Sequence, residues 1–580
     1  MSSDRSWGPS HQYGELPGRR PWRLKAVGVV IVFFELLTHR LFQPGSALAW
    51  TVHTMGRGGL VLALVMLLAR AVLSRRVRLP FSRPALSPAT RLSERIADAE
   101  RPSDAVRAYA RQLGGGAFLR FSPGGRWVTA DPEHAAMVLG PRSGKTSAVV
   151  IPSLLAAPGA ALSTSTKSDV MRATRRARAE VGQVWLFDPS GEQADWPTGV
   201  RRLCWSPVSG ARIWDGALLM ARAMASSSPA ARGTSHEHHW SERSAALLAP
   251  LLHAASLTGK PIAEVLRWVL RGDLDPAGKA LEGHDAEVAN DVLMGIARTD
   301  ARERSSIFSA TAGVLAAYNA EATRKAAAAP NFDARRFAAS SDTVYITAPA
   351  HKQALCAPLV VGLLEQIRHA TYEHARERPA TPPVFFCLDE IANIAPIHDL
   401  PALVSEAGGQ HLHILACLQD LSQARGRWGA DAADGFLSLF QTKLILSGIA
   451  DTRTLEAISL ALGEYDRRLV SHNLSQSEPA KFFATRTDSE SVSHHTQRHR
   501  TLNPGDIARL PPGHGLLLHG AHWGLLRLTP WHRTQPWAAV AGPDAFATSQ
   551  SGTPAPPGQD HDQLRTCCDS GMVHPASLRA

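Results

Sequence analysis

A glycine-rich turn that leads into a lysine and a hydroxyl residue is the feature of this sequence that most directly suggests chemistry. Residues 135–155 pass from an apolar entry into a tight turn and then into a stretch with helical character. Glycines in such a turn expose backbone N–H groups to phosphate oxygens, and the start of the helix adds partial positive charge. The residues of this predicted ATP-binding loop are Gly140, Pro141, Arg142, Ser143, Gly144, Lys145 and Thr146.

Two side chains of this loop carry the predicted chemistry. Lys145 is expected to reach the β- and γ-phosphates of ATP, and the Thr146 hydroxyl is expected to bind Mg²⁺. The usual pattern has four residues between its first glycine and the Gly-Lys-Thr end, whereas only three separate Gly140 from Gly144. A chance Gly-Lys-Thr is the alternative interpretation. The short loop leaves open whether every phosphate contact is retained.

Two adjacent carboxylates form the second half of the predicted site. Val384–Leu388 is a continuous apolar run, typical of a strand buried on both faces of a parallel sheet, and Asp389 and Glu390 follow it directly. Burial of such a pair is costly unless a cation or water lies nearby. We therefore expect Asp389 to hold Mg²⁺ through water and Glu390 to orient and deprotonate the attacking water. The alternative is an acidic pair that complements a helix dipole.

Further short apolar runs predict the rest of a parallel sheet. They alternate with helix-like stretches, which is the pattern of βαβ units. One run, His413–Leu418, ends at Gln419, and a polar side chain close to the carboxylates would sense the γ-phosphate. An ordinary loop glutamine is the alternative. The other predicted strands are Val184–Phe187, Thr343–Thr347 and Leu444–Ser447.

The basic character of the chain is concentrated at its start. The 580 residues carry a formal net charge of +11. Residues 1–83 hold twelve Lys/Arg against three Asp/Glu, a balance of +9, so the rest of the chain contributes only +2 (11 − 9). Basic residues that flank apolar segments are typical of a membrane anchor, so bulk charge is weak support for nucleic-acid binding. The cysteines have no zinc-like spacing and fit a reducing cytoplasm.

Two apolar stretches, Leu24–Phe42 and His53–Leu73, predict that anchor. Each is long enough to cross a bilayer if charges near its ends reach the interface. Basic residues precede the first stretch and follow the second, so the positive-inside rule places both ends in the cytoplasm. We therefore predict a transmembrane hairpin. A cleavable signal sequence and a pair of interfacial helices are the alternatives.

The middle of the chain has a different texture. Strand signals disappear there, and periodic helices such as Glu242–Ser256 and Ala286–Thr299 predict an all-α domain inserted in the α/β domain. The polar stretch 474–500 is predicted to form a mobile loop. The predicted order is a cytoplasmic tail, 1–23; a transmembrane hairpin, 24–78; a nucleotide-binding domain, first part 79–210; an all-α insertion, 211–335; the second part of the nucleotide-binding domain, 336–540; and a disordered tail, 541–580.

Taken in order, these motifs resemble those of the type IV secretion system coupling proteins (TraG/TraD-like), the ATPases of conjugative DNA transfer. The resemblance covers about residues 20–530. An ordered set of motifs is more specific than any one of them. Besides the anchor and the ATP loop, the matching segments are Ser165–Asp169, Phe187–Gly191, His239-Trp240, Asp389–Asn393, Gly408–Gln410, Leu418–Asp420, Asp451–Leu455, Leu502–Asp506 and Leu510-Pro511.

The resemblance implies a RecA-like P-loop domain with an all-α insertion, assembled as a homohexamer with ATP at the subunit interfaces. It also implies an inner-membrane, multi-pass ATPase that moves single-stranded DNA with its bound relaxase into a type IV secretion channel. The DNA would be held through its backbone, without sequence reading. Two alternatives stay open: a coupling ATPase for protein effectors only, and a catalytically inactive membrane receptor with a defective phosphate loop.

Overall fold

Short apolar runs build the centre of the fold, a mixed sheet of twelve strands. The computed structural model describes residues 118–121, 126–130, 134–193, 196–229, 237–477, 487–534, 537–542 and 545. The strands of this sheet are β1 (Phe118–Phe121), β2 (Arg126–Thr129), β3 (Ala136–Leu139), β4 (Ala161–Ser165), β5 (Val184–Phe187), β6 (Arg201–Arg202), β7 (Thr343–Thr347), β8 (Val384–Leu388), β9 (Leu412–Leu418), β10 (Thr442–Leu446), β13 (His514–His519) and β14 (His522–Arg527). A separate two-stranded ribbon consists of β11 (Glu464–Ser477) and β12 (Thr487–Arg500).

Neighbouring strands from β10 to β6 run parallel, and the remaining four extend the sheet with antiparallel pairs. The spatial order is β2-β1-β14-β13-β10-β3-β9-β8-β4-β7-β5-β6. Strands β3, β4, β8, β9 and β10 are buried along their whole length. Such burial is expected of parallel strands that are covered by helices on both faces. The carboxyl ends of these strands therefore meet at one edge of the sheet.

The predicted α/β class with a large parallel sheet is confirmed. Three predicted strands, β5, β7 and β8, have the expected bounds, and β9 and β10 differ from theirs by one or two residues. The predicted transmembrane hairpin, 24–78, lies outside the described residues, as do the tail 1–23 and nearly all of 541–580. Within the part of the chain that the structure describes, no helix is both long enough and apolar enough to cross a bilayer.

Helices cover the sheet and fill the long interval between β6 and β7. Several begin where an aspartate accepts hydrogen bonds from the first backbone N–H groups, as Asp300 and Asp451 do. The helices are α1 (Ile151–Ala156), α2 (Asp169–Ala179), α3 (Trp214–Ser227), α4 (Glu237–Leu257), α5 (Ile262–Arg271), α6 (Asp275–Glu282), α7 (Glu287–Ala297), α8 (Ala301–Val314), α9 (Glu321–Ala328), α10 (Ala334–Ala338), α11 (Gln353–Glu377), α12 (Ile391–Ile394), α13 (Leu400–Glu406), α14 (Leu421–Trp428), α15 (Ala430–Leu439), α16 (Thr452–Ala461), α17 (Pro504–Ala508) and α18 (Trp537–Ala541).

The helices α3 to α9 form one packed group around α4, and α10 packs on α11 instead. Helix α4 contacts α3, α5, α6, α7 and α8, and α3 also packs on α11, which belongs to the sheet part of the chain. The predicted helix Glu242–Ser256 lies within α4, and Ala286–Thr299 corresponds to α7. The chain returns from this group into β7, which pairs with β4 on one side and β5 on the other. The helical group is thus an excursion from the middle of the sheet.

The prediction of a mobile loop over 474–500 is wrong. Most of this stretch belongs to β11 and β12, which pair in antiparallel register from Glu464↔Arg500 to Ser477↔Thr487. The prediction failed because the two strands are polar on both faces, so the sequence has no apolar alternation to indicate them. Backbone hydrogen bonds between antiparallel strands do not need an apolar face.

A single buried arginine ties the helical layer to the sheet. The Arg178 guanidinium of α2 is fully buried and donates to Thr343 Oγ1 at 2.7 Å, at the start of β7. It also donates to the carbonyls of Ala157 and Gly159, both at 2.7 Å, and of Ser341 at 3.1 Å. A buried charge is tolerated only when its donors are satisfied in this way. Arg178 therefore fixes the turn before β4 against the start of β7.

Replacement of Arg178 should destabilise the protein strongly. The Arg178→Met substitution keeps the aliphatic stem but leaves buried carbonyl oxygens without donors, so the free energy of unfolding should fall by about 3 kcal/mol or more. Thermal unfolding of the purified chain measures the effect. Arg336, an exposed arginine of α10, supplies the matched control Arg336→Met. An equal midpoint for the two variants would contradict the role assigned to Arg178.

Candidate nucleotide site

The predicted phosphate loop connects β3 to a π-helical turn, Thr146–Val150, that continues into α1. Two of its glycines have backbone conformations that other residues rarely adopt, with φ of 139° at Gly140 and 84° at Gly144. A Cβ atom on Gly140 would also lie 2.6 Å from the Cβ of Leu446, at the end of the neighbouring β10. Arg142 has a φ of 46° without being glycine. The loop is therefore shaped by close packing against the sheet edge.

Lys145 is buried inside this loop. Its side chain is only 8% exposed, and its Nζ donates to the Gly140 carbonyl at 3.3 Å, across the loop. A buried ammonium group needs such an acceptor because it cannot remain solvated. The short loop of three intervening residues thus still turns back far enough to bring its lysine to its first glycine.

The two predicted metal ligands, Thr146 and Asp389, meet although they are 243 positions apart. Thr146 Oγ1 donates to Asp389 Oδ2 at 2.9 Å. Asp389 is 6% exposed, and its other oxygen, Oδ1, is buried with no hydrogen-bond partner among the described residues. Burial raises the pKa of Asp389, whereas the charge of Lys145 and the Thr146 hydrogen bond act to lower it. A hydroxyl beside a carboxylate with one unpaired oxygen fits a hard cation such as Mg²⁺.

A residue of the adjacent strand holds Asp389 in place. Thr164, in β4, donates its hydroxyl to the Asp389 backbone carbonyl at 3.0 Å. Strands β4 and β8 are parallel neighbours, with Thr164 opposite Leu388. The end of β8 is therefore fixed from the side by a buried threonine. Thr164 was not predicted as a site residue because it lies in a strand that has no continuous apolar run.

Glu390 takes a conformation that sets it apart from the strand. Its φ of 58° is left-handed, and it directly precedes α12. Asn393, within that helix, donates Nδ2 to Glu390 Oε2 at 3.1 Å. The side chain remains partly accessible. The turn after β8 thus separates the two carboxylates. Asp389 lies beside the loop, and the Asn393 side-chain amide holds Glu390.

A cleft of about 490 Å³ lies over the loop and the carboxylates. Its walls come from the loop, from the β4–α2 turn and from a distant C-terminal segment. Gly140, Pro141 and Gln419 are absent from its lining, although the other predicted site residues are present. The lining residues are Arg142, Ser143, Gly144, Lys145, Thr146, Ser147, Ile151, Ser165, Thr166, Lys167, Asp169, Arg172, Ala173, Asp389, Glu390, Trp531, His532 and Ala545.

Gln419 follows β9, the strand that lies between β3 and β8. Its backbone N–H donates to the Gln423 side chain at 2.9 Å. The sheet order therefore brings Gln419 to the same edge as the loop and the carboxylates. Its role as a phosphate sensor stays a prediction.

The C-terminal wall of the cleft was not predicted. Trp531 is nearly buried, and the His532 ring contacts it with centroids 5.6 Å apart. Burial and the nearby Arg533 lower the pKa of His532, which favours its neutral form. Helix α18, a few residues later, packs on α1 and α2. Nothing in the local sequence ties these rings to the loop, because only the packing of α18 brings them there.

Comparison with known proteins identifies a family and a fold that this chain resembles. A family model described as type IV secretory system conjugative DNA transfer matches residues 98–522. Among solved structures, the chain is similar to the bacterial conjugative coupling protein TrwBdeltaN70 in its unbound form, with 17% identity, a TM-score of 0.53, and coverage of 73% of this chain and 92% of that one. No curated protein sequence matches the chain.

A second solved structure, the plasmid coupling protein TrwB in complex with the ATP analogue ADPNP, is similar at 18% identity, with a TM-score of 0.51 and coverage of 69% of this chain and 86% of that one. At these identities the likeness shows the fold. The family match is independent of it and includes the loop, both carboxylates and the helical group. The resemblance to coupling proteins that the motifs predicted is thereby confirmed, and the chain belongs to the type IV secretory system conjugative DNA transfer family.

Proposed function

We propose that this chain is a membrane-associated ATPase that couples single-stranded DNA, with its bound relaxase, to a type IV secretion channel. The observation that carries the proposal is the 2.9 Å contact between the Thr146 hydroxyl and Asp389, beside the buried Lys145. A hydroxyl, a carboxylate and an ammonium group at the end of parallel strands are what a Mg²⁺-bound nucleoside triphosphate requires. Family membership supports the DNA half of the proposal.

ATP and Mg²⁺ are the proposed ligands of the cleft. Thr146 Oγ1 and Asp389 would hold Mg²⁺, and the unpaired Asp389 Oδ1 supports a ligand at this position. When bound, the ion would neutralise charge on the β- and γ-phosphates. The related TrwB structure in complex with ADPNP supports ATP as the nucleotide. The protein's share of the chemistry is to position these groups and to exclude water.

Each loop residue has a proposed part in phosphate binding. Lys145 would exchange its contact with the Gly140 carbonyl for the β- and γ-phosphate oxygens. The backbone N–H groups from Arg142 to Gly144 would contact the phosphates, whereas Pro141 has no N–H to offer. A loop with fewer donors should bind nucleotide more weakly than a loop of the usual length.

Glu390 and Gln419 are the proposed catalytic side chains besides Lys145. Glu390 would orient the attacking water and accept its proton, and Asn393 would hold the carboxylate in position. Gln419 would sense the γ-phosphate from the end of β9. Both assignments rest on the order of strands, in which β9 separates the loop strand from the carboxylate strand.

The proposal extends to assembly and location by resemblance to the family. We propose a homohexamer with ATP at the subunit interfaces, anchored in the inner membrane by residues 24–78, with the bulk of the chain in the cytoplasm. Arg142, Lys167 and Arg172 line the cleft and are nevertheless exposed, which supports access of a neighbouring subunit to the bound nucleotide. Components of the secretion channel would be its partners in the membrane.

Replacement of Lys145 should abolish nucleotide binding. The Lys145→Ala chain, purified at full length in detergent, should show no ATP turnover with or without single-stranded DNA, because the β- and γ-phosphates lose their ammonium partner. Lys260→Ala, at an exposed turn, is the matched control and should behave as wild type. If the wild-type chain neither binds nor hydrolyses ATP, the inactive-receptor alternative is correct.

Replacement of Glu390 should separate binding from hydrolysis. The Glu390→Gln chain keeps the shape of the side chain but cannot accept a proton, so turnover should fall by about 100-fold or more. Its affinity for a fluorescent ATP analogue should remain within about threefold of wild type, because the loop is intact. A parallel loss of affinity would instead assign Glu390 to nucleotide binding.

The transferred substrate can be tested in cells. A host strain that carries the matching relaxase and channel should transfer plasmid strands with the wild-type chain and not with Lys145→Ala. Both proteins should be present in the membrane fraction at equal amounts, which excludes loss by degradation. Export of protein effectors without any strand transfer would favour the effector-only alternative.

A further inference from the structure

The β11–β12 ribbon has a composition that neither the nucleotide site nor the sheet explains. Each strand has 14 residues, so at about 3.4 Å per residue the ribbon is roughly 44 Å long. In the described part of the chain it packs along no third element, apart from isolated contacts. An isolated two-stranded ribbon is marginally stable in water, so a ribbon of this length suggests a partner.

The register sorts the charges of the ribbon by face. In an antiparallel pair, residues directly opposite each other share a face, and alternate positions along a strand lie on opposite faces. Among the strand residues whose side chains the structure describes, the two carboxylates fall on one face, which we call the acidic face: Glu464 and Asp466. Their opposite partners include Arg498 and Arg500, and these arginines form ion pairs with Asp466 at 3.9 Å and Glu456 at 3.3 Å.

The other face, which we call the carboxylate-free face, has a different composition. Near the base of the ribbon it carries a tyrosine, an arginine, two histidines, a glutamine and a serine: Tyr465, Arg467, Ser493, His495, Gln497 and His499. Among the residues of this face whose side chains the structure describes, none is an aspartate or a glutamate.

The groups at the base of this face are available for contacts. Tyr465 is 47% exposed, and its ring lies 6.3 Å from the ring of His499, centroid to centroid. His499 Nε2 is buried without a hydrogen-bond partner among the described residues. Arg467 is exposed and, in contrast to Arg498 and Arg500, has no ion-pair partner in the described part of the chain.

This chemistry favours a nucleic-acid strand over a protein partner. Protein interfaces have an apolar core, whereas the described side chains on this face include no aliphatic residue. Surfaces that bind single strands combine positive charge and hydroxyl groups for the backbone with aromatic rings for unstacked bases. The absence of carboxylates removes the repulsion that phosphates would meet on the acidic face.

The base of the ribbon is connected to the phosphate loop. The ribbon begins after α16 and ends before α17, and Thr501 donates its backbone N–H to the Gly463 carbonyl at 3.0 Å. Gly448, two residues after β10, lies against Pro141 of the loop and has a φ of 88°, which favours glycine, and its N–H donates to the Ala508 carbonyl at 3.3 Å. Elements that border the nucleotide loop thus also hold the ribbon.

We propose that the carboxylate-free face of the β11–β12 ribbon binds single-stranded DNA, with Arg467 on a phosphate and Tyr465 stacked on a base. This inference rests on the proposed function, because it names the surface that holds the strand while the ATP site drives its movement. The binding is independent of sequence, since an arginine contacts the phosphate backbone and an aromatic ring can stack on any base.

The ribbon supplies its own matched control. Arg467 and Arg498 lie on adjacent rungs and on opposite faces, because Arg467 pairs with Gln497 and Arg498 pairs with Asp466. Binding of a fluorescent single-stranded oligothymidylate to the full-length chain, in detergent and with a non-hydrolysable ATP analogue, is measured by anisotropy. Arg467→Ala should weaken binding and reduce the slope of log K against log salt by about 0.7, the value for one phosphate contact. Arg498→Ala should leave both unchanged.

A second pair tests the stacking contact. Tyr465→Ala should weaken binding by about fivefold or more, and Tyr465→Phe should restore it, because the ring and not the hydroxyl stacks on the base. Equal affinities for Arg467→Ala and Arg498→Ala would overturn the assignment of the strand to this face. So would an unchanged affinity of Arg467→Ala together with a smaller oligomer in sedimentation, which would identify a second copy of the chain as the partner.

The outcome also distinguishes this inference from the proposed function. A wild-type chain that hydrolyses ATP but binds no oligothymidylate would overturn the ribbon assignment and the DNA half of the proposed function, and would leave the ATPase standing. If the wild-type chain binds DNA and both arginine variants bind it equally well, the ribbon assignment alone is overturned.

Discussion

The hydrogen bond between Thr146 and Asp389 joins residues that are 243 positions apart, and the rest of the site is arranged around it. It exists because β3 and β8 run in the same direction in one sheet, with only β9 between them. Parallel strands bring their carboxyl ends to a common edge, so a residue just beyond β8 lies level with the start of the helix after β3. The cleft, the buried lysine and the turn at Glu390 all depend on this alignment.

This alignment requires that β8 keep its register with β4. Strand β8 pairs with β4 through Leu388↔Thr164, and the same threonine holds the Asp389 carbonyl. A slip by one residue would replace Asp389 with Leu388, or would bring Glu390 to its position and bury Asp389 within the strand. Because β8 is buried on both sides, that slip is strongly unfavourable. The precision with which Thr146 and Asp389 meet is therefore a property of the core.

Sequence reasoning succeeded where one strand carries its own signal. The apolar run of Val384–Leu388 indicated both a buried strand and the unusual carboxylates after it. It failed for β4, Ala161–Ser165, because three of its five residues are serine or threonine and become buried only through tertiary contacts. It failed for the ribbon because neither face is apolar, and for Trp531 because the packing of a distant helix brings it to the cleft.

The position of β3 has a consequence for synthesis. Its two neighbours, β9 and β10, both follow the helical group, so β3 has no partner on either edge until Leu418 has left the ribosome, and it gains its second partner only after Leu446. Pairings that close such long segments form slowly, and unpaired apolar strands attract each other in the meantime. The helices α3 to α9, built from local contacts, can fold first. The strand that carries the predicted phosphate loop is therefore exposed to non-native pairing during synthesis until β9 and β10 follow.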